Sequence, residues 1–254
     1  MLKKFIRLYN ERNNLDFERY SENNYILCNK ILKTITFLPA KILSNLNISA
    51  NLITLISYVL ILLSCLFFVF GKLNIAIYTM ILFILFDSLD GDIARLQVQK
   101  NSYGKVLDTF GADIFYLTIP FCISYYIYDY QQELSYLIDR KFLILVGFLI
   151  SILIIFYRII ELRNRLLFIK DKNIEKTKKD IIKKNNNILI QIIKNETIRG
   201  NFFSEPGFVL NFSILLYFEL FYYTYIYLII ILLYCLIRVI YLFFGSVYVY
   251  ISSK

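Results

Sequence analysis

The chain has 254 residues, of which 58% are hydrophobic, and it carries a net charge of +9 with no histidine. Its apolar residues form long runs, which excludes an ordinary soluble domain and predicts an all-α protein that crosses a membrane several times. The lack of histidine also excludes a metal site built on imidazole ligands.

The first 47 residues are polar and charged and include eight lysines and arginines, with no signal peptide visible among them. Apolar residues recur at helical spacing, as at Ile31, Ile35 and Leu38. This pattern predicts an amphipathic helix on the cytoplasmic membrane surface, ending in a short turn at Pro39. A segment that binds a partner protein is the alternative.

Residues 48–254 are predicted to form one transmembrane domain with a basic cytoplasmic loop at 163–203. About six of its apolar runs are long enough, near 20 residues, to cross the bilayer as helices. They are placed at 51–71, 74–95, 104–128, 142–162, 206–222 and 225–247.

The lysines and arginines are distributed unevenly between the two ends of these runs. Eleven lie in residues 163–199, whereas the connections at the opposite ends contain only Lys72, Arg140 and Lys141. Because positive residues accumulate in cytoplasmic loops, both termini are predicted to be cytoplasmic. The lipid bilayer, with its anionic headgroups, is then the expected partner of the positive charge, and nucleic acid is not.

An acidic segment joins the second and third apolar runs. It extends from Asp87 to Asp113 and reads DSLDGDIARLQVQKNSYGKVLDTFGAD. Carboxylates cost about 2.5–3.5 kcal/mol each at the centre of a bilayer, so several together need a compensating partner. Oxygen ligands without histidine favour a hard cation, and we expect one or two Mg²⁺ or Mn²⁺ ions. A metal bound at a membrane face suggests chemistry on a phosphate.

The spacing of these residues predicts one pocket between two helices. Asp87 and Asp90 share a face of one helix, and Gly104 and Asp108 share a face of the next. If these helices cross, three carboxylates meet. Gly91 and Gly104 would let a ligand approach the backbone, although small residues also serve helix packing in membranes.

The segment resembles the signature of the CDP-alcohol phosphatidyltransferases, D-x-x-D-G-x-x-A-R-x8-G-x-x-x-D-x-x-x-D. Seven residues match in identity and spacing: Asp87, Asp90, Gly91, Ala94, Arg95, Gly104 and Asp108. The resemblance implies that a CDP-linked alcohol, such as CDP-diacylglycerol, donates a substituted phosphoryl group to an acceptor hydroxyl and releases CMP. Asp87, Asp90 and Asp108 would bind the metal. The CDP moiety would be bound by Gly91, Ala94, Arg95 and Gly104. A weaker resemblance to the family's I-T-P-N-x-x-T segment covers Ile48 to Thr54, with Ala50 in place of proline.

The signature's last aspartate falls on Ala112, and the nearest carboxylate is Asp113. On a regular helix Asp113 is rotated by about 100° from the expected face. We expect a one-residue bulge near Gly111 to return Asp113 to the pocket of Asp108, as a fourth metal ligand and the general base for the acceptor hydroxyl. The alternative is that the fourth carboxylate is missing.

Two arginines inside apolar runs, Arg158 and Arg238, are candidate ligands of a phosphorylated acceptor. We expect an enzyme of phospholipid or related phosphodiester synthesis that assembles as a homodimer. Two other functions use intramembrane aspartates. An intramembrane prenyltransferase is less favoured because its sites lack the G-x-x-A-R residues. An ion carrier is less favoured because its carboxylates would lie near mid-membrane.

Overall fold

The computed structural model describes residues 27–97, 102–131, 140–170, 198–203 and 206–252. Within these ranges the chain contains α-helices and no strand: α1 Leu27–Asn45, α2 Ala50–Val69, α3 Leu73–Leu96, α4 Ser102–Tyr130, α5 Arg140–Lys170, α6 Gly207–Tyr217 and α7 Phe221–Ser252. A π-helical turn, Arg199–Phe203, precedes α6. The predicted all-α class is confirmed. Residues 1–26 of the predicted surface segment and most of the basic loop lie outside the described residues.

The described helices include five stretches that are long and apolar enough to cross a membrane. These are Ala50–Val69, Leu73–Leu96, Thr109–Tyr130, Lys141–Asn164 and Phe221–Phe244. The chain is therefore a polytopic membrane protein. The predicted span at 206–222 instead forms α6, whose 11 residues extend about 16 Å, well short of a hydrocarbon core of about 30 Å.

The helices belong to two units. The first contains α1, α2, α3, α4 up to Phe115, and α6; the second contains the rest of α4, α5 and nearly all of α7. All described residues of the acidic segment, Asp87 to Asp113, belong to the first unit.

Helix α1 is amphipathic, as predicted. Phe37 and Ala40 are 3% and 0% exposed, whereas Ile31 and Ile35 are about half exposed on another face. The turn predicted at Pro39 is wrong, because Pro39 lies inside the helix. Burial of Phe37 and Ala40 near the proline outweighs the hydrogen bond that the proline, which lacks an N–H, cannot donate.

Helix α2 packs along α3. At the start of α2, Ser49 Oγ accepts a hydrogen bond from the Leu52 N–H at 3.4 Å and caps the helix. Further along, the buried Ser64 hydroxyl donates to the Ala76 carbonyl of α3 at 2.9 Å. Small and branched side chains of α1, α2 and α3 form one core cluster next to the acidic segment: Ala40, Ala50, Ile53, Leu89 and Ile93.

Three buried phenylalanines join α3, α4 and α6. The ring centroids of Phe83 and Phe115 lie 5.2 Å apart, and those of Phe115 and Phe208 lie 5.7 Å apart. All three side chains are at most 1% exposed. This packing holds α4, at a point just after Asp113, against α3, the helix that carries Asp87 to Arg95.

Candidate functional site

The last turns of α3 present acidic side chains on two sides. Asp90 and Asp92 are 6% and 2% exposed, and Asp87 is partly exposed. Asp87 and Asp90 share a helix face, as their spacing predicted. Asp92 is rotated by about 200° from Asp90, so it belongs to a different surface of the same helix.

Asp90 is held by α2. Thr54 Oγ1 lies 2.6 Å from Asp90 Oδ2 and 3.1 Å from the Ala50 carbonyl oxygen. A hydroxyl has one proton to donate, and the shorter distance to a carboxylate directs it towards Asp90. Thr54 is the last residue of the segment Ile48 to Thr54, which also resembles the family. Its hydroxyl therefore joins that segment to a carboxylate of the signature, Asp90.

Asp92 is held from the other side, by α1. The buried Thr36 hydroxyl donates to Asp92 Oδ2 at 3.1 Å and lies 3.2 Å from Ser88 Oγ. Arg95 Nη2 donates to Asp92 Oδ1 at 2.5 Å, which forms an ion pair one turn along α3. The signature arginine therefore has a carboxylate partner that is not itself a fixed residue of the signature.

Gly91 and Gly104 have different surroundings. A Cβ added at Gly91 would lie 3.3 Å from Nη2 of Arg95, so the glycine makes room for that guanidinium. A Cβ at Gly104 would lie 3.4 Å from Asn51 Oδ1, an ordinary contact with α2. Ala94 is partly buried beside the core cluster of α1, α2 and α3.

The bulge predicted in α4 is wrong. The helix is α-helical from Ser102 to Tyr130. Gly111 instead permits close packing, because a Cβ there would lie 2.5 Å from Cε1 of Tyr58 in α2. The Tyr58 hydroxyl also donates to the Leu107 carbonyl one turn earlier, so α2 packs closely against α4 at this point.

The regular α-helical geometry of α4 places Asp108 and Asp113 on different faces of the helix. Five residues along an α-helix correspond to a rotation of about 140°, so Asp113 does not share a face with Asp108. The structure describes the backbone of Asp108 but not its side chain. The role of Asp113 as metal ligand and general base stays a prediction, now without the bulge that motivated it.

The chemistry around Asp90 fits the predicted cation. Carboxylate and hydroxyl oxygens are the donors there, as Mg²⁺ and Mn²⁺ prefer. Among the described side chains, no three acidic or cysteine residues are grouped as a metal cluster. The set of Asp87, Asp90, Asp108 and Asp113 therefore stays a prediction.

The two arginines predicted to bind the acceptor lie in the second unit. Arg238 is 7% exposed, and its Nη2 donates to Glu161 Oε2 at 3.2 Å. Its Nη1 donates to the Tyr234 hydroxyl at 3.0 Å, and its guanidinium lies 4.3 Å from the ring centroid of Tyr157. Arg158 is partly exposed, with its guanidinium carbon 5.5 Å from the ring centroid of Tyr116.

Three partners of the candidate site residues were not predicted from the sequence: Asp92, Thr36 and Glu161. Asp92 could have been found, since a third aspartate within one apolar helix needs a compensating partner as much as the other two do. Thr36 and Glu161 belong to no motif, and their contacts depend on packing between distant helices.

Comparison with known proteins identifies a family. The family model described as CDP-alcohol phosphatidyltransferase matches residues 47–193, which include α2 to α5 and the whole acidic segment. No curated protein and no solved structure gives a significant match.

Proposed function

The chain belongs to the CDP-alcohol phosphatidyltransferase family, and from this premise we propose that it transfers a substituted phosphoryl group from a CDP-linked alcohol to an acceptor hydroxyl and releases CMP. CDP-diacylglycerol is a suitable donor, because both it and the protein reside in the membrane. The observation that carries the proposal is the buried Asp90, a signature carboxylate held by Thr54 inside an apolar helix. A buried carboxylate on a membrane-spanning helix needs a functional partner.

Asp87, Asp90 and Asp108 would hold one or two Mg²⁺ or Mn²⁺ ions. When bound, the metal supplies positive charge beside the diphosphate. Thr54 keeps the Asp90 carboxylate in one orientation, which is the preorganisation that electrostatic stabilisation requires. The donor's diphosphate is thereby oriented for attack by the acceptor.

The CDP moiety is assigned to the rest of the signature: Gly91, Ala94, Arg95 and Gly104. Arg95 lies in the last turn of α3, where a cation is favoured by the helix dipole. Its planar guanidinium suits a phosphate. Gly91 leaves the space next to the backbone that the Arg95 guanidinium occupies, and Ala94 and Gly104 are assigned by the family signature.

Asp113 is assigned to the acceptor hydroxyl, whose proton it would accept during the attack. Arg158 and Arg238 are both proposed as ligands of an acceptor phosphate, and Arg238 also binds the Glu161 carboxylate. A homodimer that acts in phospholipid or related phosphodiester synthesis completes the proposal.

Metal removal should stop the reaction. Treating the purified protein with a chelator is expected to abolish CMP release, because Arg95 alone does not compensate the charge of the donor's diphosphate. Adding back Mg²⁺ or Mn²⁺ should restore turnover, whereas Ca²⁺ at the same concentration tests selectivity. Full activity in the chelator would contradict the metal assignment.

The charge distribution predicts the orientation in the membrane. A single cysteine placed at Lys178, in an otherwise cysteine-free variant, should react with a membrane-impermeant reagent only from the cytoplasmic side. A cysteine at Gln132, after α4, should react only from the opposite side. The reverse labelling pattern would place the donor site on the wrong side for a cytoplasmic CDP-alcohol.

A substrate panel tests the function itself. The protein in lipid nanodiscs is incubated with each of several CDP-alcohols, with and without hydroxyl acceptors, and CMP is quantified. We expect one donor class to give CMP only when an acceptor is present. Release of inorganic diphosphate from a prenyl donor, with no CMP from any CDP-alcohol, would support the prenyltransferase alternative.

A further inference from the structure

Helix α1 contributes Thr36 to a buried polar cluster beside the signature. Thr36 and Asp92 are 3% and 2% exposed, and they belong to helices that are far apart in the sequence. The carboxylate accepts from Thr36 on one oxygen and from Arg95 on the other. Ser88, one turn before Asp92, joins the same cluster at 3.2 Å from the threonine hydroxyl.

This arrangement fixes the position of a flexible side chain. The Arg95 side chain is 28% exposed and folds back along its own helix, with Nη2 and Nη1 lying 3.3 and 3.5 Å from where a Cβ of Gly91 would be. A free arginine samples many rotamers, and ordering it on substrate binding would weaken the binding. The bond to Asp92 imposes that order before the substrate arrives.

We propose that Asp92 and Thr36 are positioning residues for the nucleotide donor: Thr36 of α1 fixes the Asp92 carboxylate, and Asp92 holds the Arg95 guanidinium beside Gly91. The inference rests on the proposed function, in which Arg95 binds the CDP moiety. An arginine has five N–H donors, so one guanidinium can bind a carboxylate and a phosphate together. The amphipathic N-terminal helix is thus part of the donor site as well as a surface element.

Substitution of Asp92 should affect donor binding more than substitution of Thr36, because Asp92 contacts Arg95 directly and Thr36 acts through Asp92. Asp92→Asn should weaken CDP binding by about 10- to 100-fold, as is typical when the partner that orients a ligand-binding group is lost. Thr36→Val removes one hydrogen bond and should weaken CDP binding by about fivefold. Both should raise KM for the donor more than they lower kcat, and KM for the acceptor should not change.

The test is equilibrium binding of CDP, with Mg²⁺ present, to the full-length protein in nanodiscs. Thr36→Ser keeps the hydroxyl and should bind like the wild type. Thr79→Val is a matched control, because Thr79 is a buried threonine of α3 whose hydroxyl donates to the main-chain carbonyls of Ile75 and Ala76. The proposal is supported if CDP binding is weakened in Asp92→Asn and Thr36→Val. Thr36→Ser and Thr79→Val should both retain the affinity of the wild type.

Other outcomes separate the inference from the function. Unchanged CDP affinity in Thr36→Val overturns the inference, and so does an equal loss in Thr79→Val, which would mean a general packing defect. If Asp92→Asn does not fold, the CDP affinities of the three threonine variants still test whether Thr36 and Asp92 position the donor. Wild-type protein that binds no CDP at all would overturn the proposed function rather than the positioning role alone.

Discussion

Asp90→Asn is expected to lower the rate of transfer by about 10²- to 10³-fold or more, because loss of a metal-binding carboxylate removes several kcal/mol of charge compensation. The substitution preserves shape, and the Thr54 hydroxyl can still donate to the amide oxygen. Initial rates of CMP release at saturating donor would measure the effect.

The control for this variant is Asp129→Asn. Asp129 is an exposed aspartate near the end of α4, so its neutralisation should leave turnover within about twofold of wild type. Comparable thermal stability of both variants would show that folding is intact. Near-normal turnover in Asp90→Asn would contradict the assignment of the acidic segment as the metal site.

Gly147→Ala is expected to give the largest loss of stability. A Cβ at Gly147 in α5 would meet Ser124 of α4, with the serine Cβ 2.6 Å away and the Pro120 carbonyl oxygen 2.8 Å away. Because main-chain atoms cannot move aside cheaply, the free energy of unfolding should fall by about 1–3 kcal/mol. Thermal unfolding in detergent would detect this as a lower Tm.

Two further variants make the Gly147 prediction specific. Gly91→Ala places its Cβ 3.3 Å from the mobile end of Arg95, so Tm should change little. Adding Ser124→Gly to Gly147→Ala should recover part of the lost stability, since the contact with Pro120 persists. An unchanged Tm in Gly147→Ala would show that α4 and α5 are not packed this closely.

The sequence was sufficient to predict the elements that depend on local patterns. The span predicted at 74–95 is α3, Leu73–Leu96, because an apolar run of membrane length defines its own ends. The shared face of Asp87 and Asp90 likewise follows from helical spacing alone. The family resemblance carried by those residues is confirmed by the match over residues 47–193.

The remaining features depend on contacts between helices and could not be predicted from local sequence. Gly111 suggested a distortion, yet it lies in a regular helix and makes room for Tyr58 of α2. Pro39 suggested a turn, but it lies inside α1, where Phe37 and Ala40 are buried. The contact of Thr36 with Asp92 joins positions 56 residues apart, and no periodicity within either helix indicates it.

We expect the protein to transfer the alcohol-linked phosphorus of a CDP-alcohol. A donor labelled only on that phosphorus tests this, with products separated after reaction with an acceptor. Unlabelled CMP and label in a new phosphodiester with the acceptor, in equal amounts, are the expected products. Labelled alcohol phosphate, together with CMP attached to the acceptor, would contradict this expectation, because the nucleotide would then be the group transferred.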